Sequence, residues 1–168
     1  MKKGLLLLSL IGVLAILFFA GESASQGKTE AVVPSQNEAS ALQALTLTDT
    51  HFDFGTISMQ DGKVMHSFTV TNKSESPISI RKITTSCMCT EALFVQGDAR
   101  KGPFGMPGHG SVPLVNETVP AQESFTVEVV FDPSAHGPAG VGKIERAVFV
   151  EDAKGDVQTI TIKALVTP

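Results

Sequence analysis

The sequence predicts an all-β sandwich, and three observations support this prediction. Short runs alternate apolar and polar residues, which is the period of a strand with one buried face; Ser124–Phe131 is an example. Turn signals such as Asp61-Gly62 and Asp132-Pro133 separate these runs. No helical apolar period interrupts them. The pattern favours an immunoglobulin-like antiparallel β-sandwich of about seven strands, preceded by an N-terminal apolar helix and a flexible tether.

The predicted strands follow one another to the end of the chain. They are Leu45–Leu47, Phe52–Gly55, Val64–Thr71, Pro77–Ile83, Ser124–Phe131, Ile144–Val150 and Val157–Val166. Between Cys89 and Val112 the alternation fails, and repeated Gly and Pro residues predict a loop of about twenty residues there, a length typical of functional or disordered loops. A second irregular stretch runs from His136 to Gly140.

The N-terminus has the features of an export signal. Lys2 and Lys3 precede an unbroken apolar run from Gly4 to Ala20, which matches a charged n-region and an apolar h-region. The run also reaches the lower length limit for an uncleaved membrane anchor. We therefore predict a signal peptide or membrane anchor over residues 1–25, a linker over 26–44 and the folded domain over 45–168. This predicts an exported domain of the cell envelope, which is membrane-anchored, secreted or periplasmic.

Composition excludes some classes of function. A net charge of −4 with 18% charged residues leaves no basic surface for nucleic acid. No Ser-His-Asp set, phosphate-binding Gly-rich loop or carboxylate pair has a recognisable local context. No His lies near Cys87 in sequence to act as a base for a cysteine nucleophile. The sequence therefore predicts a protein without catalytic activity.

Several motifs together resemble one family. They are Phe52-Asp53-Phe54-Gly55-Thr56-Ile57, Gly62-Lys63-Val64 with His66 and Phe68, Thr71-Asn72, Pro77-Ile78-Ser79-Ile80 and Ser86-Cys87-Met88-Cys89-Thr90. In order and spacing they resemble a group of exported bacterial proteins known as domain of unknown function number fifteen seventy-three, over about Leu45–Thr167. The resemblance implies a fold similar to ASH and major-sperm-protein immunoglobulin-like modules, and it implies no enzyme activity. Met88 stands where the family usually has Gly, so a bend that needs a positive φ would be strained here.

The motif Cys87-Met88-Cys89 holds the only two cysteines of the chain. Residues two apart in an extended chain share a face, so both sulfurs would point the same way. Three interpretations remain open at this point. The cysteines are small buried apolar residues, or they form a strained and easily reduced disulfide, or they bind a soft metal ion.

The metal interpretation has a defined set of candidate ligands. Cys87 and Cys89 supply thiolates, and Met106, His109 and His136 lie in the two irregular stretches that could fold over one end of the sandwich. Thiolate and thioether ligands favour copper(I). Zinc is the less favoured ion, because a Cys-x-Cys pair with scattered His is not a standard zinc spacing.

Two other histidines fit the metal interpretation poorly. His66 falls on the predicted core face of a strand, where a hydrogen-bonded buried His is expected, and His51 is predicted to face solvent.

Two functions are compatible with these features. The first is an exported, membrane-tethered immunoglobulin-like module that binds another protein or a cell-envelope component. The alternative is a copper(I)-binding or redox protein that uses Cys87 and Cys89.

Overall fold

A computed structural model describes residues 44–168 of the chain. Ten strands make up this part: β1 (Leu45–Leu47), β2 (His51–Ser58), β3 (Val64–Asn72), β4 (Ile78–Thr85), β5 (Thr90–Gln96), β6 (Ala99–Phe104), β7 (Glu117–Val119), β8 (Ser124–Phe131), β9 (Gly142–Asp152) and β10 (Val157–Thr167). Two short 3-10 helices, Met59–Asp61 and Gly137–Gly140, lie between strands. The predicted all-β class is confirmed.

The strands form two five-stranded sheets. The order is β1-β3-β8-β5-β6 in the first sheet and β2-β10-β9-β4-β7 in the second. Both β4–β5 and β8–β9 are therefore connections that cross from one sheet to the other. These two crossings carry the cysteines and His136, so the topology decides whether the candidate ligands can meet.

Alternation along each strand builds the core between the sheets. In β8, Phe125, Val127, Val129 and Phe131 are buried while the residues between them are only partly covered. Such a period of two places every second side chain on the inner face. Phe94 of β5 stacks on Phe125 with ring centroids 4.8 Å apart. The buried apolar residues of both sheets form one continuous cluster.

The predicted count of about seven strands is wrong, because three strands were missed. All seven predicted strands overlap strands of the structure, but β5 and β6 occupy the region between Cys89 and Val112 that was predicted as a loop, and β7 lies just beyond it, where no strand was predicted. In β5, Thr90, Ala92 and Phe94 do alternate as buried residues. Gly97 makes the turn to β6 with φ of 55°. The glycines of this region therefore mark a hairpin with an edge strand rather than a long loop.

The sandwich is also not purely antiparallel. β2 pairs with β10 in parallel, with His51 opposite Thr161 and Ser58 opposite Thr167. Both kinds of pairing share the same side-chain period of two, so alternation alone could not distinguish them. The parallel pair places β2 at the edge of the second sheet.

The outer edge of β3 is only partly covered within residues 44–168. β1 pairs with β3 from Val70 to Asn72 and ends at Leu47. The N–H of Asn72 donates to the carbonyl of Glu123 on the β8 side, whereas the carbonyl of Thr69 accepts from Thr48 on the β1 side. Backbone groups alternate between the two sides of an antiparallel strand. Those of Met65 and Ser67 therefore point to the side where β1 has already ended.

Predictions for the N-terminus fall outside this description. The signal peptide or anchor over residues 1–25 and all but the last residue of the linker over 26–44 precede Ala44. Within the described part of the chain, no helix has the length and apolar character needed to cross a membrane.

Candidate metal centre

A tight turn between β4 and β5 carries the two cysteines. Thr85 donates its hydroxyl hydrogen to the carbonyl of Cys87 at 3.0 Å, and the N–H of Thr90 donates to the same carbonyl at 3.1 Å. Ser86 fixes the turn to β9, because its N–H donates to the carbonyl of Ala147 and its hydroxyl accepts from the N–H of Ala147, both at 2.9 Å. The sulfurs are thus brought together by a turn and not by an extended strand.

The strain expected at Met88 is absent. Among residues 44–168, Asn116 and Gln122 are the non-glycine residues with positive φ, so Met88 keeps a backbone conformation that any residue can adopt. The turn closes instead through sulfur, since the N–H of Cys89 donates to Sγ of Cys87 at 3.4 Å. Glycine is therefore not required between the two cysteines in this chain.

His136 joins the two cysteines from the β8–β9 crossing. Its Nε2 lies 3.1 Å from Sγ of Cys87. Sγ of Cys87, Sγ of Cys89 and a ring nitrogen of His136 all lie within 4.8 Å of one another. We call these three residues the thiol–imidazole cluster.

Backbone and side-chain hydrogen bonds hold the β8–β9 crossing against the cysteine turn. The N–H of Asp132 donates to the carbonyl of Cys89 at 2.9 Å. Oδ1 of Asp132 accepts from the N–H of Ser134 at 2.9 Å and from its hydroxyl at 2.7 Å. The start of the crossing is thereby fixed before the chain reaches His136.

Arg146 is a further member of the site that the sequence did not reveal. It extends from β9, and its Nε–H donates to Sγ of Cys89 at 3.3 Å. A single arginine in an alternating strand has no local signature, so only the pairing of β9 with β4 identifies it.

The two thiols differ in environment. Cys89 is a core residue with only 3% of its surface exposed, whereas Cys87 is half-buried and His136 is exposed. Both cysteines are free in the structure. The buried-residue interpretation thus describes Cys89 well and Cys87 only in part.

Electrostatics favour the thiolate at Cys87. Partial burial raises the pKa of Cys87, but hydrogen bonds from Cys89 and His136 and the positive charge of Arg146 outweigh burial and lower this pKa from 9.0 to about 7. Burial and the hydrogen bond with Cys87 raise the pKa of Cys89. Burial lowers the pKa of Arg146, yet the hydrogen bond to Cys89 and the attraction of both cysteines raise it overall. The cluster therefore combines a thiol that ionises near neutral pH, Cys87, with a thiol whose ionisation is suppressed, Cys89.

Of the four predicted ligands that are Cys or His, the structure brings together three, and the fifth predicted ligand, Met106, follows Gly105, whose carbonyl accepts from the N–H of Thr85 at 3.2 Å. Cys87, Cys89 and His136 meet, whereas His109 lies exposed in a turn of the β6–β7 connection and is not part of the group. The N–H of His109 donates to the carbonyl of Met106 in that same turn at 3.2 Å.

The other two histidines also lie outside the cluster. His51 is exposed, as predicted. His66 is half-buried on the core side of β3, where its ring stacks on Phe52 at a centroid distance of 3.5 Å and meets the edge of Phe68 at 4.8 Å.

The fold resembles several solved structures at low sequence identity. A protein of unknown function from Porphyromonas gingivalis W83 matches with a TM-score of 0.53 and 15% identity over 75% of this chain and 50% of that chain. A family 123 glycoside hydrolase from Clostridium perfringens matches with a TM-score of 0.50 and 9% identity over 70% of this chain and 23% of that chain. This chain thus spans half or less of both proteins, and the likeness is one of fold alone.

The similar structures also include a human domain, which matches at a lower TM-score. PapD-like domain 7 of human CEP192, an ASH domain, matches with a TM-score of 0.46 and 9% identity over 74% of this chain and 85% of that domain. No curated protein sequence matches this chain. Residues 45–103, from β1 through nearly all of β6, match the family described as Protein of unknown function (DUF1573), which confirms the predicted family resemblance over that part of the chain.

Proposed function

We propose that this protein binds one copper(I) ion through Cys87, Cys89 and His136. The observation that carries the proposal is the convergence of two sulfurs and an imidazole nitrogen within 4.8 Å, from two separate crossings between the sheets. Soft thiolate ligands select copper(I), and imidazole is also a common copper ligand. The proposal places this site in an exported module, in keeping with the apolar N-terminal run that follows Lys2 and Lys3.

The ligand number supports copper(I) over structural zinc. Structural zinc sites are almost always tetrahedral with four protein ligands, usually Cys and His, whereas the group of Cys, His, Asp and Glu side chains found among residues 44–168 has three members. Copper(I) accepts lower coordination numbers. The exposed imidazole of His136 also leaves one side of the site open to solvent, which would allow the ion to enter and leave.

The direct test is an anaerobic copper(I) titration of the reduced full-length chain against a competing chelator. We expect one equivalent to bind. Cys87→Ser and Cys89→Ser should each abolish tight binding, because each removes a thiolate ligand. His136→Ala should weaken binding while leaving the two sulfurs in place.

His109→Ala is the matched control, since His109 is an exposed loop histidine outside the cluster. Its affinity for copper(I) should equal that of the wild-type chain. Binding that is unchanged in Cys87→Ser/Cys89→Ser, or no binding by the wild-type chain, would refute the proposed function.

A second candidate function is capture of an extended segment of another envelope protein. The half-covered edge of β3 favours it, because the backbone groups of Met65 and Ser67 face away from β8 beyond the end of β1. An added strand could pair with these groups, as in β-strand addition. Met65 also exposes 57% of its surface, so its side chain could supply an apolar contact to the added strand.

A proline substitution separates this function from folding. Ser67→Pro removes an N–H on the outer side of β3 only, and proline is tolerated on edge strands. His66→Pro would instead remove a bond to β8. If strand capture occurs, Ser67→Pro should keep the fold by circular dichroism and lose a partner that the wild-type chain retains in pull-down from envelope extracts. Equal retention by both chains would exclude this edge as the binding surface.

A further inference from the structure

The charge of Arg146 has no carboxylate partner among residues 44–168. Arg81 pairs with Glu151, Arg100 pairs with Glu128, and the remaining ion pairs involve lysines. None of the ion pairs within residues 44–168 includes Arg146. Its Nε–H instead faces Sγ of Cys89, and its Nη1 donates to the carbonyl of Glu145 at 2.9 Å. The guanidinium is thus held at the sulfur side of the site.

We infer that Arg146 makes the thiol–imidazole cluster selective for a monovalent soft metal ion over a divalent one. This inference deepens the proposed function and rests on it. It assigns to Arg146 the role of a positioning and charge-balancing residue, which acts through the sulfur of Cys89 and does not bind the ion itself.

Charge counting explains the selectivity. Two thiolates and a neutral imidazole carry two negative charges. A monovalent ion leaves one negative charge, which the guanidinium of Arg146 neutralises. A divalent ion already neutralises the thiolates, so that Arg146 then leaves one uncompensated positive charge. The first arrangement is neutral and the second is not.

The burial of Cys89 increases the energetic effect of this difference in net charge. Cys89 exposes only 3% of its surface, so water screens its sulfur poorly. Electrostatic interactions strengthen as the local dielectric constant falls. Hydrogen bonds to metal-bound sulfurs belong to the outer-shell contacts that tune a metal site. An arginine that donates to this buried sulfur is therefore well placed to decide which ion charge is stable.

Other charges near Cys89 are already engaged. Lys63, Glu91 and Asp132 line a cleft beside Cys89. Lys63 pairs with Glu91 at 3.7 Å, and Oδ1 of Asp132 accepts two hydrogen bonds from Ser134. Arg146 is the cationic side chain that hydrogen-bonds to a sulfur of the cluster.

The test compares two metals in three chains. Copper(I) and zinc(II) affinities of the full-length wild-type chain, Arg146→Gln and Arg146→Lys are measured by chelator competition under reducing, oxygen-free conditions. Arg146→Gln should lower the affinity for copper(I) by roughly 10–100-fold, the usual effect of losing an outer-shell partner. Its affinity for zinc(II) should stay the same or rise. Arg146→Lys keeps the positive charge and should recover part of the copper(I) affinity.

Arg81→Gln is the control, because Arg81 is an exposed arginine whose partner is Glu151. It should change neither affinity. Equal losses for both metals in Arg146→Gln, with tight copper(I) binding by the wild-type chain, would overturn the inference and leave the proposed function intact. A wild-type chain that binds neither metal would overturn both.

Discussion

Cys87 is the residue whose chemistry the structure changes most. Hydrogen bonds from its neighbours overcome partial burial and bring its pKa from 9.0 to about 7. A thiol is half ionised when the pH equals its pKa. In about half of the molecules the Cys87 side chain should therefore be a thiolate near neutral pH. The thiolate is the reactive form. We expect the alkylation rate of Cys87 by iodoacetamide in the metal-free chain to rise with pH through a midpoint near 7.

Peptide mapping by mass spectrometry would follow Cys87 and Cys89 separately. Cys89 should react slowly, because it is buried and its pKa is raised. His136→Ala removes one hydrogen-bonding partner of Cys87, so the midpoint should move upward. A midpoint near 9 in the wild-type chain would show that the neighbours do not stabilise the thiolate.

The sequence identifies which residues could bind a metal ion, but it does not show which of them meet in the folded chain. Cys87, Cys89 and His136 were predicted candidates, and they meet because two crossings reach the same end of the sandwich. His109 has the same Gly- and Pro-rich context as His136, yet it is not a member of the group that His136 forms with the cysteines. Arg146 could not be predicted, since its role depends on which strand lies beside the cysteine turn.

Gly102 lies in the β5–β6 hairpin, where the backbones of the two strands approach closely. At Gly102, φ is 122°, and a Cβ atom would lie 2.9 Å from the carbonyl oxygen of Ala92 and 3.3 Å from Cα of Leu93. Gly102→Ala should therefore destabilise the domain by about 1–3 kcal/mol, from close contact and backbone strain together. The midpoint of urea denaturation would measure the loss.

Gly105→Ala is the paired control for this prediction. Gly105 lies three residues further along, and a Cβ there would meet nothing within 4 Å. Its effect should stay within about 0.5 kcal/mol. Similar losses for both variants would mean that the hairpin does not pack as described.

Strand prediction succeeded where alternation was long and failed where glycines were frequent. Val64–Thr71 and Ser124–Phe131 alternate over eight residues, and both are strands. β6 contains Gly102 and Pro103 within six residues, and composition of this kind resembles a loop. Such residues are admissible at an edge, where one side of the strand needs no hydrogen-bonding partner. Edge position is a property of the sheet and cannot be read from the strand alone.

For the molecule as a whole, hydrogen exchange should reveal which edge is open. The amides of His66 and Phe68 point to β8, whereas those of Met65 and Ser67 point beyond the end of β1. In the full-length chain, NMR-detected exchange should be faster at Met65 and Ser67 than at His66 and Phe68. Equal protection along β3 would mean that another segment covers this edge.

The double crossing between the sheets has a consequence for the lifetime of the protein. Cys87 and His136 are 49 positions apart in sequence, and they meet where each crossing leaves its sheet. An ion bound to both would close the long loop of chain between them. It would act as a reversible cross-link between the β4–β5 and β8–β9 crossings. Because it would bind the folded chain more tightly than the unfolded one, its contribution to the free energy of unfolding would rise with the logarithm of the free metal concentration. Resistance of the chain to proteases would then follow metal supply, so that its abundance would depend on how much metal its surroundings contain.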